Sequence, residues 1–379
     1  MHQEGLAAAK AFMRANEGMK VGEHGLTNSD VLSVVGSEVV GAAAVECQAD
    51  LGESPWKLHW VEAEGHGPIA SGNGFGCCVP VGEPNARPPK LTFPSGSELE
   101  TYSATDLDLL ALYFTIAKIL YIKGSLAVLP DLVRLIEPCR QRSKIPLHRT
   151  SIRNEQAYYT CLAQLISLRP FRPPPSSVAS GCFKAGPPIY IFGDSHTLPP
   201  VWNEITLHGQ TRLLVPALVT GLKHYHLREE GDFYPKANFL RVAEATPKGA
   251  TVVFLFGEID CREGILMAVE KCRYNSVEEG MQTTIQYFIK EAERWVSKKG
   301  WSAYIHPVIP VLNETRALVT LYNGFFRKAV DASKSLVWLD FFDDMLEGGL
   351  NLRKGLELDG THLSPNYVPC LERALQERA

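Results

Sequence analysis

The sequence predicts a three-layer α/β sandwich with a parallel sheet over residues 188–379, preceded by a small helical domain. Three observations predict it. Short apolar runs recur at Ile189 to Phe192, Arg212 to Val219, Val252 to Phe256, Ala303 to Ile309 and Leu336 to Asp340, each of strand length. Segments of helical composition or spacing separate or follow them: Phe239 to Ala245, Val277 to Lys298 with Met281, Ile285, Phe288, Ile289 and Trp295 on one face, Ala317 to Ala332, and the tail from Asn366 to Ala379. Strand alternating with helix implies parallel pairing through right-handed crossovers. Two of the runs stop at a glycine followed by polar residues, Gly193-Asp194-Ser195-His196 and Gly257-Glu258-Ile259-Asp260. In open α/β sheets the carboxyl ends of the strands are where ligands bind.

The rest of the chain is read in order. Residues 1–97 form an N-terminal extension in which Asp30 to Val45 fits either an amphipathic helix or a pair of strands. Gly72-Asn73-Gly74-Phe75-Gly76-Cys77-Cys78 reads as a loop, because no strand precedes it and no helix follows, as a dinucleotide site would require. Pro80 to Pro94 has the composition of a linker. Residues 98–170 are helical. Thr105-Asp106-Leu107-Asp108 opens a helix with a capping residue and early acids, Leu109, Leu110, Leu112, Tyr113, Ile116, Ile119 and Leu120 continue it, and Gly124 stops it. Leu126 to Cys139 and Arg149 to Leu168 read as two more helices. This helix–turn–helix spacing resembles tetratricopeptide-type repeats, which implies a surface for a protein partner. Residues 171–187, opening with Phe171-Arg172-Pro173-Pro174-Pro175-Ser176-Ser177, read as a linker. Within the α/β part, Pro199 to Leu207 reads as a short helix.

Composition bounds the function. The chain has 379 residues, 45% apolar and 21% charged, the balance of an ordinary globular protein. A net charge of −4 argues against a chain built to neutralise nucleic-acid phosphates or to dock on anionic lipid. A small molecule, a glycan or a protein is the expected partner. The nine cysteines are scattered, with no CxxC pair, and are read as reduced thiols of a cytoplasmic protein. The N-terminus lacks a basic and then apolar leader pattern. The most apolar helical stretch, Leu107 to Ile122, contains Lys118 and is short for a membrane span.

The chemistry-bearing residues lie at the ends of the α/β part. Acyl transfer needs a nucleophile, a base to take its proton, a group to orient that base, and donors for the oxyanion. Ser195 sits where a strand meets a turn, and near the C-terminus Asp359-Gly360-Thr361-His362 supplies an acid and a histidine three positions apart. Ser195 is therefore the candidate nucleophile, His362 the base, and Asp359 the group that fixes the tautomer of His362. The order Ser, Asp, His is that of a nucleophilic hydrolase, without the Gly-x-Ser-x-Gly elbow.

Residues 188–379 resemble the SGNH/GDSL hydrolase superfamily: Gly193-Asp194-Ser195 matches its first block and Asp359-Gly360-Thr361-His362 its last. The resemblance implies a flavodoxin-like sheet of about five parallel strands. It implies a serine-dependent esterase or acyl-transfer enzyme that needs no metal or other cofactor, acting on a small ester, a lipid or an acylated glycan. It further implies an oxyanion-hole glycine after the second strand, for which Gly221 is the candidate. In the third block, Gly-x-Asn-Asp, the chain has Gly257-Glu258-Ile259-Asp260, and Ile259 cannot donate from its side chain. Arg262, close in sequence and always cationic, is the candidate substitute. The missing asparagine also leaves room for an alternative, a non-catalytic module of this fold that binds a glycan or a protein.

Other polar residues near these blocks are read more plainly. Glu258 and Asp260 fit a structural role in the turn, or an ion pair with Arg262, as well as a direct role. His196 is read as a neighbour that shapes the pocket rather than as a second base, and Cys261 as a nucleophile only if Ser195 were not one. His224 and His226, two apart, would share one face of a strand, but no third metal ligand accompanies them, so a surface or substrate-contact role is expected.

Overall fold

Two apolar runs of the C-terminal half, Ile189–Gly193 and Val252–Leu255, are buried along their whole length, which demands that both faces of the sheet be covered there. The computed structural model describes residues 2–23, 25–36, 45–46, 59–60, 99–126, 128–168, 186–271, 273–349 and 351–378. They fall into two compact units, one ending before residue 183 and one from there to the C-terminus, each with its own core. The glycine-rich loop 72–78, the linker 80–94 and the proline run 171–177 lie outside the described residues.

In the second unit the strands are β1 (Ile189–Gly193), β2 (Glu204–Leu207), β3 (Gln210–Leu218), β4 (Thr251–Leu255), β5 (Ser302–Ile305) and β6 (Leu336–Trp338). They form one six-stranded sheet in the order β2-β3-β1-β4-β5-β6. β3, β1, β4, β5 and β6 are parallel, and β2 joins β3 antiparallel at the edge. Taken in chain order, the parallel strands run second, first, third, fourth, fifth, which is the flavodoxin-like order. The strand order reverses between β1 and β4, so the switch-point crevice opens at the carboxyl ends of these two strands. All of Ile189–Gly193 is buried, as is Val252–Leu255. Phe192 and Phe254 meet there at 5.4 Å, and Phe288 from a flanking helix closes on Phe254 at 5.5 Å.

The long helix Val277–Lys299 starts where Ser276 accepts from the Glu279 amide and stops at Gly300 in the left-handed region, φ 67°. It packs against the helix Arg316–Asp331. The C-terminal helix Val368–Arg378 covers the edge strand, with Glu372 accepting from the Thr206 amide at 2.7 Å.

One expectation is corrected. Residues 199–207 do not form a helix. Pro199 and Pro200 lie in a turn, and Glu204–Leu207 is a strand whose side chains alternate between exposed and buried. His208 and Gly209, at φ 52° and 71°, form a two-residue hairpin that returns the chain into β3. The period of two in Glu204-Ile205-Thr206-Leu207 outweighs a proline pair that suggests a helix start.

The first unit is mainly helical, with one short antiparallel pair, Val45–Glu46 against His59–Trp60. Its helices are His2–Ala15, Asn28–Gly36, Ala104–Lys123, Leu129–Arg142 and Arg153–Leu168. The segment from Asp30 begins as a helix rather than as a strand pair, though residues 37–44 lie outside the description. Ser103 and Asp106 form a reciprocal capping box, and Gly124, at φ 77°, ends the same helix. Tyr113 donates to Asn28 Oδ1 at 2.9 Å, and Phe114 stacks on Tyr159 at 4.3 Å. Among the described residues no helix is long and apolar enough to cross a membrane.

Candidate active site

The turn after β1 is shaped by a glycine that nothing larger can replace without moving its neighbours. A Cβ on Gly193 would lie 2.5 Å from the Leu255 carbonyl oxygen of β4 and 2.5 Å from Thr197 Oγ1. With that space free, the chain turns sharply into a short 3₁₀ segment, Ser195–Thr197, capped by Asp194, whose Oδ1 accepts from the His196 amide at 3.0 Å. From Ile191 to Pro200 every residue is buried except Ser195, which is half-buried. The turn therefore presents one hydroxyl.

The Asp359–His362 loop meets it. Gly360, at φ 86°, lets the loop fold back so that Asp359 Oδ1 accepts from the amides of Thr361 at 3.0 Å and His362 at 2.8 Å. Its other oxygen, Oδ2, accepts from His362 Nδ1 at 2.8 Å. This leaves His362 Nε2 as an acceptor, and the Ser195 hydroxyl donates to it at 2.8 Å. Burial pushes the Asp359 carboxyl up, but the His362 ring and the two amides outweigh it and hold the group below the usual range. Ser195, His362 and Asp359 are thus in one hydrogen-bonded chain.

Behind His362 lies a second, fully buried histidine–carboxylate pair. His196 Nε2 donates to Glu258 Oε2 at 3.1 Å, and the His196 ring packs on the His362 ring with centroids 4.7 Å apart. Burial lowers the pKa of His196, but Asp194 and Glu258 more than reverse this and raise it. Burial raises that of Glu258, and His196 with Arg262 brings it below its ordinary value. Asp194 is pushed up by burial. Its Oδ2 has no hydrogen-bond partner among the described residues.

The third strand end supplies Glu258. Gly257 sits at φ 112°, where a Cβ would also meet Val308 Cγ2 at 2.8 Å. A helical turn follows and widens into a π segment, Asp260–Gly264. Arg262 Nε lies 3.4 Å from Glu258 Oε1 and 3.9 Å from Glu263 Oε1, so the structure pairs Arg262 with these acids. Asp260 is buried and accepts from the His224 amide at 2.8 Å, and burial pushes its pKa up to about 7. Burial also pushes the Cys261 thiol far up, which removes its nucleophilic form. Gly221 lies beyond the carboxyl end of β3, next to β1, at φ 67°, and a Cβ there would touch the Tyr234 hydroxyl at 3.4 Å.

The expectation for His224 and His226 is corrected. They lie on a 3₁₀ turn, His224–Leu227, not on a strand. His224 is fully buried, stacked on Phe288 at 4.3 Å and sharing a 2.6 Å hydrogen bond with Tyr322, so it is a core residue. His226 Nδ1 accepts from the Lys223 amide at 3.1 Å, and its ring packs on Phe233. Burial lowers both, to about 3 and about 4. The contact of His196 with His362 and with Glu258 escaped the sequence reading. The only signal was that an acid stands where a strand neighbouring β1 ends.

No family model matches the chain, and no curated protein matches it. Among solved structures the chain is similar to a protein from Streptococcus pneumonia assigned as a platelet activating factor. The identity is 14%, over 65% of this chain and 98% of that one, with a TM-score of 0.37. It is also similar to the lipase Lip_vut3 from a goat rumen metagenome, at 13% identity over 50% of this chain and 95% of that one, with a TM-score of 0.34. Both likenesses are too slight to say what this chain does.

Proposed function

We propose that residues 188–379 form a serine-dependent ester hydrolase or acyl-transfer enzyme of the SGNH type. The observation that carries this reading is the continuous hydrogen-bonded chain from Ser195 Oγ through His362 to Asp359, at 2.8 Å for each link, ending on the one half-buried residue of the turn. In the reaction, Ser195 Oγ attacks an ester carbonyl while His362 Nε2 takes its proton and Asp359 stabilises the resulting imidazolium. The tetrahedral intermediate collapses, the alkoxide leaves with the proton from His362, and the acyl group remains on Ser195. Water, or a second alcohol, then gives its proton to His362 and attacks the acyl carbon, and the second tetrahedral intermediate collapses as His362 returns that proton to Ser195 Oγ and frees the serine. The amides of Ser195 and Gly221 are the proposed oxyanion donors, with Arg262 as an electrostatic contributor. The substrate class is a small ester, a lipid or an acylated glycan.

Labelling with a fluorophosphonate tests this, since Ser195 Oγ would displace fluoride from phosphorus. Wild type is expected to label stoichiometrically, and Ser195→Ala to abolish labelling. A wild type that does not label, or a Ser195→Ala variant that labels equally, refutes the reading. Ile259 favours a second reading, a binding module of the same fold, because no side-chain donor stands at that position. That reading requires ligand binding to survive Ser195→Ala with no ester turned over by the wild type.

A further inference from the structure

The in-plane contacts of His362, to Ser195 at Nε2 and to Asp359 at Nδ1, leave one freedom weakly held. Rotation of an imidazole about its Cβ–Cγ bond sits in a broad well. What lies against the ring therefore decides how sharply it points. Here that neighbour is His196, with centroids 4.7 Å apart and planes inclined by 51°.

His196 is itself held at two points. Its backbone amide donates to Asp194 Oδ1 at 3.0 Å, and its Nε2 donates to Glu258 Oε2 at 3.1 Å. It is 4% exposed, as is Glu258, and Asp194 is inaccessible. A buried histidine–carboxylate pair of this kind is a costly way to fill space, because an apolar pair of similar volume is often equally stable or better. Its placement is specific. His196 directly follows Ser195 in sequence, and Glu258 comes from the end of β4, the strand beside β1. Arg262 then reaches Glu258 Oε1 from the more open side.

We propose that His196 is a positioning residue for the base His362, held in place by Glu258. On this view the third strand end contributes support for the base at Glu258, one residue before Ile259, where a side-chain oxyanion donor would otherwise stand. The inference rests on the hydrolase reading above. His196 touches neither the substrate nor Ser195 Oγ in this role. It acts through the orientation of His362, and a misaligned base costs rate without costing substrate binding.

The test uses His196→Phe, Glu258→Ala and Glu258→Gln in the full chain. Fluorophosphonate labelling is followed in time, and p-nitrophenyl acetate hydrolysis is normalised to titrated serine. His196→Phe keeps a ring of similar shape but loses the tether, and is expected to slow labelling and kcat about tenfold with KM unchanged. Glu258→Ala is expected to do the same. Glu258→Gln keeps an oxygen that accepts from His196 Nε2, and is expected to retain a rate within about threefold of wild type. A merely structural role would change melting temperature and the fraction of titratable serine but not the rate per titrated serine. Wild-type rates per titrated serine in both His196→Phe and Glu258→Ala overturn the inference and leave the hydrolase reading standing. A wild type that fails to label overturns both. Should His196→Phe not fold, the contrast between the two Glu258 variants decides it alone, and equal rates in the two overturn it.

Discussion

The ends of β1 and β4 are neighbours in the sheet, with Gly193 opposite Leu255, and both strands run into a glycine that cannot be replaced without a clash. Beyond those glycines they diverge. After β1 the chain tightens into a 3₁₀ turn and shows a single half-buried hydroxyl. After β4 it widens into a π segment and buries two acids, Glu258 toward His196 and Asp260 toward the His224 amide. The same device, a strand stopped by a glycine at the switch point, thus serves two ends. One side presents the hydroxyl of the proposed nucleophile, and the other holds buried acids around it. The difference predicts that changes on the reactive side alter rate, whereas changes on the supporting side away from His196 alter stability.

The largest effect is expected from Asp359→Asn. The carboxamide oxygen can still accept from the Thr361 and His362 amides, so the loop keeps its shape. The charge that faces His362 Nδ1 is gone and the tautomer is no longer fixed. The rate of fluorophosphonate labelling is expected to fall about 10³–10⁴-fold. Thermal melting, followed by circular dichroism, should move by only a few degrees. A variant that loses its fold while its remaining native fraction labels at the wild-type rate would reverse the assignment of this loop to the reactive side.

Asp260→Asn probes the supporting side. Burial raises the Asp260 pKa from its ordinary 3.8 to about 7, against the amides of His224 and Tyr225 and the charge of Lys223. A carboxyl that binds its proton more tightly when folded contributes stability that is fully present below the unfolded pKa. That contribution is lost as pH rises through the folded one, here between about 4 and 7. Asparagine cannot ionise. The variant is therefore expected to melt close to wild type near pH 4, and above it by on the order of 10 °C near pH 8. Labelling rates per titrated serine should match at neutral pH. A melting difference that does not change with pH would remove Asp260 from this role.

Much of this architecture was legible in the sequence because it rests on local signals. Val252 to Phe256 reads as a strand from its apolar run, and Val277 to Lys298 reads as a helix from the apolar residues on one face; the structure shifts their ends by a residue or so. Ser195, Asp359 and His362 were legible because they stand in two marked turns, Gly193-Asp194-Ser195-His196 and Asp359-Gly360-Thr361-His362, and the structure brings the three together. What escaped depends on strand order. The His196–Glu258 pair spans 62 positions and exists only because β4 lies beside β1. His224 escaped for a related reason. His224, in Lys223-His224-Tyr225-His226, has no periodicity to reveal that Phe288 and Tyr322 will enclose it. The hairpin at 204–210 was misread because two prolines and a short alternating run give conflicting local signals.

The smallest and most local test concerns the glycine at the end of β1. Gly193→Ala sets a methyl 2.5 Å from a backbone carbonyl of β4 and 2.5 Å from Thr197 Oγ1, and neither lies at the end of a flexible side chain. Relief requires moving either the strand pair or the turn that carries Ser195, at a cost of about 1–3 kcal/mol. The control is Gly249→Ala, at φ 69° with no atom within 4 Å of the new methyl, where only backbone strain is added. Both variants are expected to melt below wild type. Only Gly193→Ala should also slow labelling per titrated serine, because only there does the relieving movement displace the nucleophile. If the two variants lose stability and leave the labelling rate alike, the turn after β1 is not held by contact with β4, and the two strand ends are less closely coupled than their spacing implies.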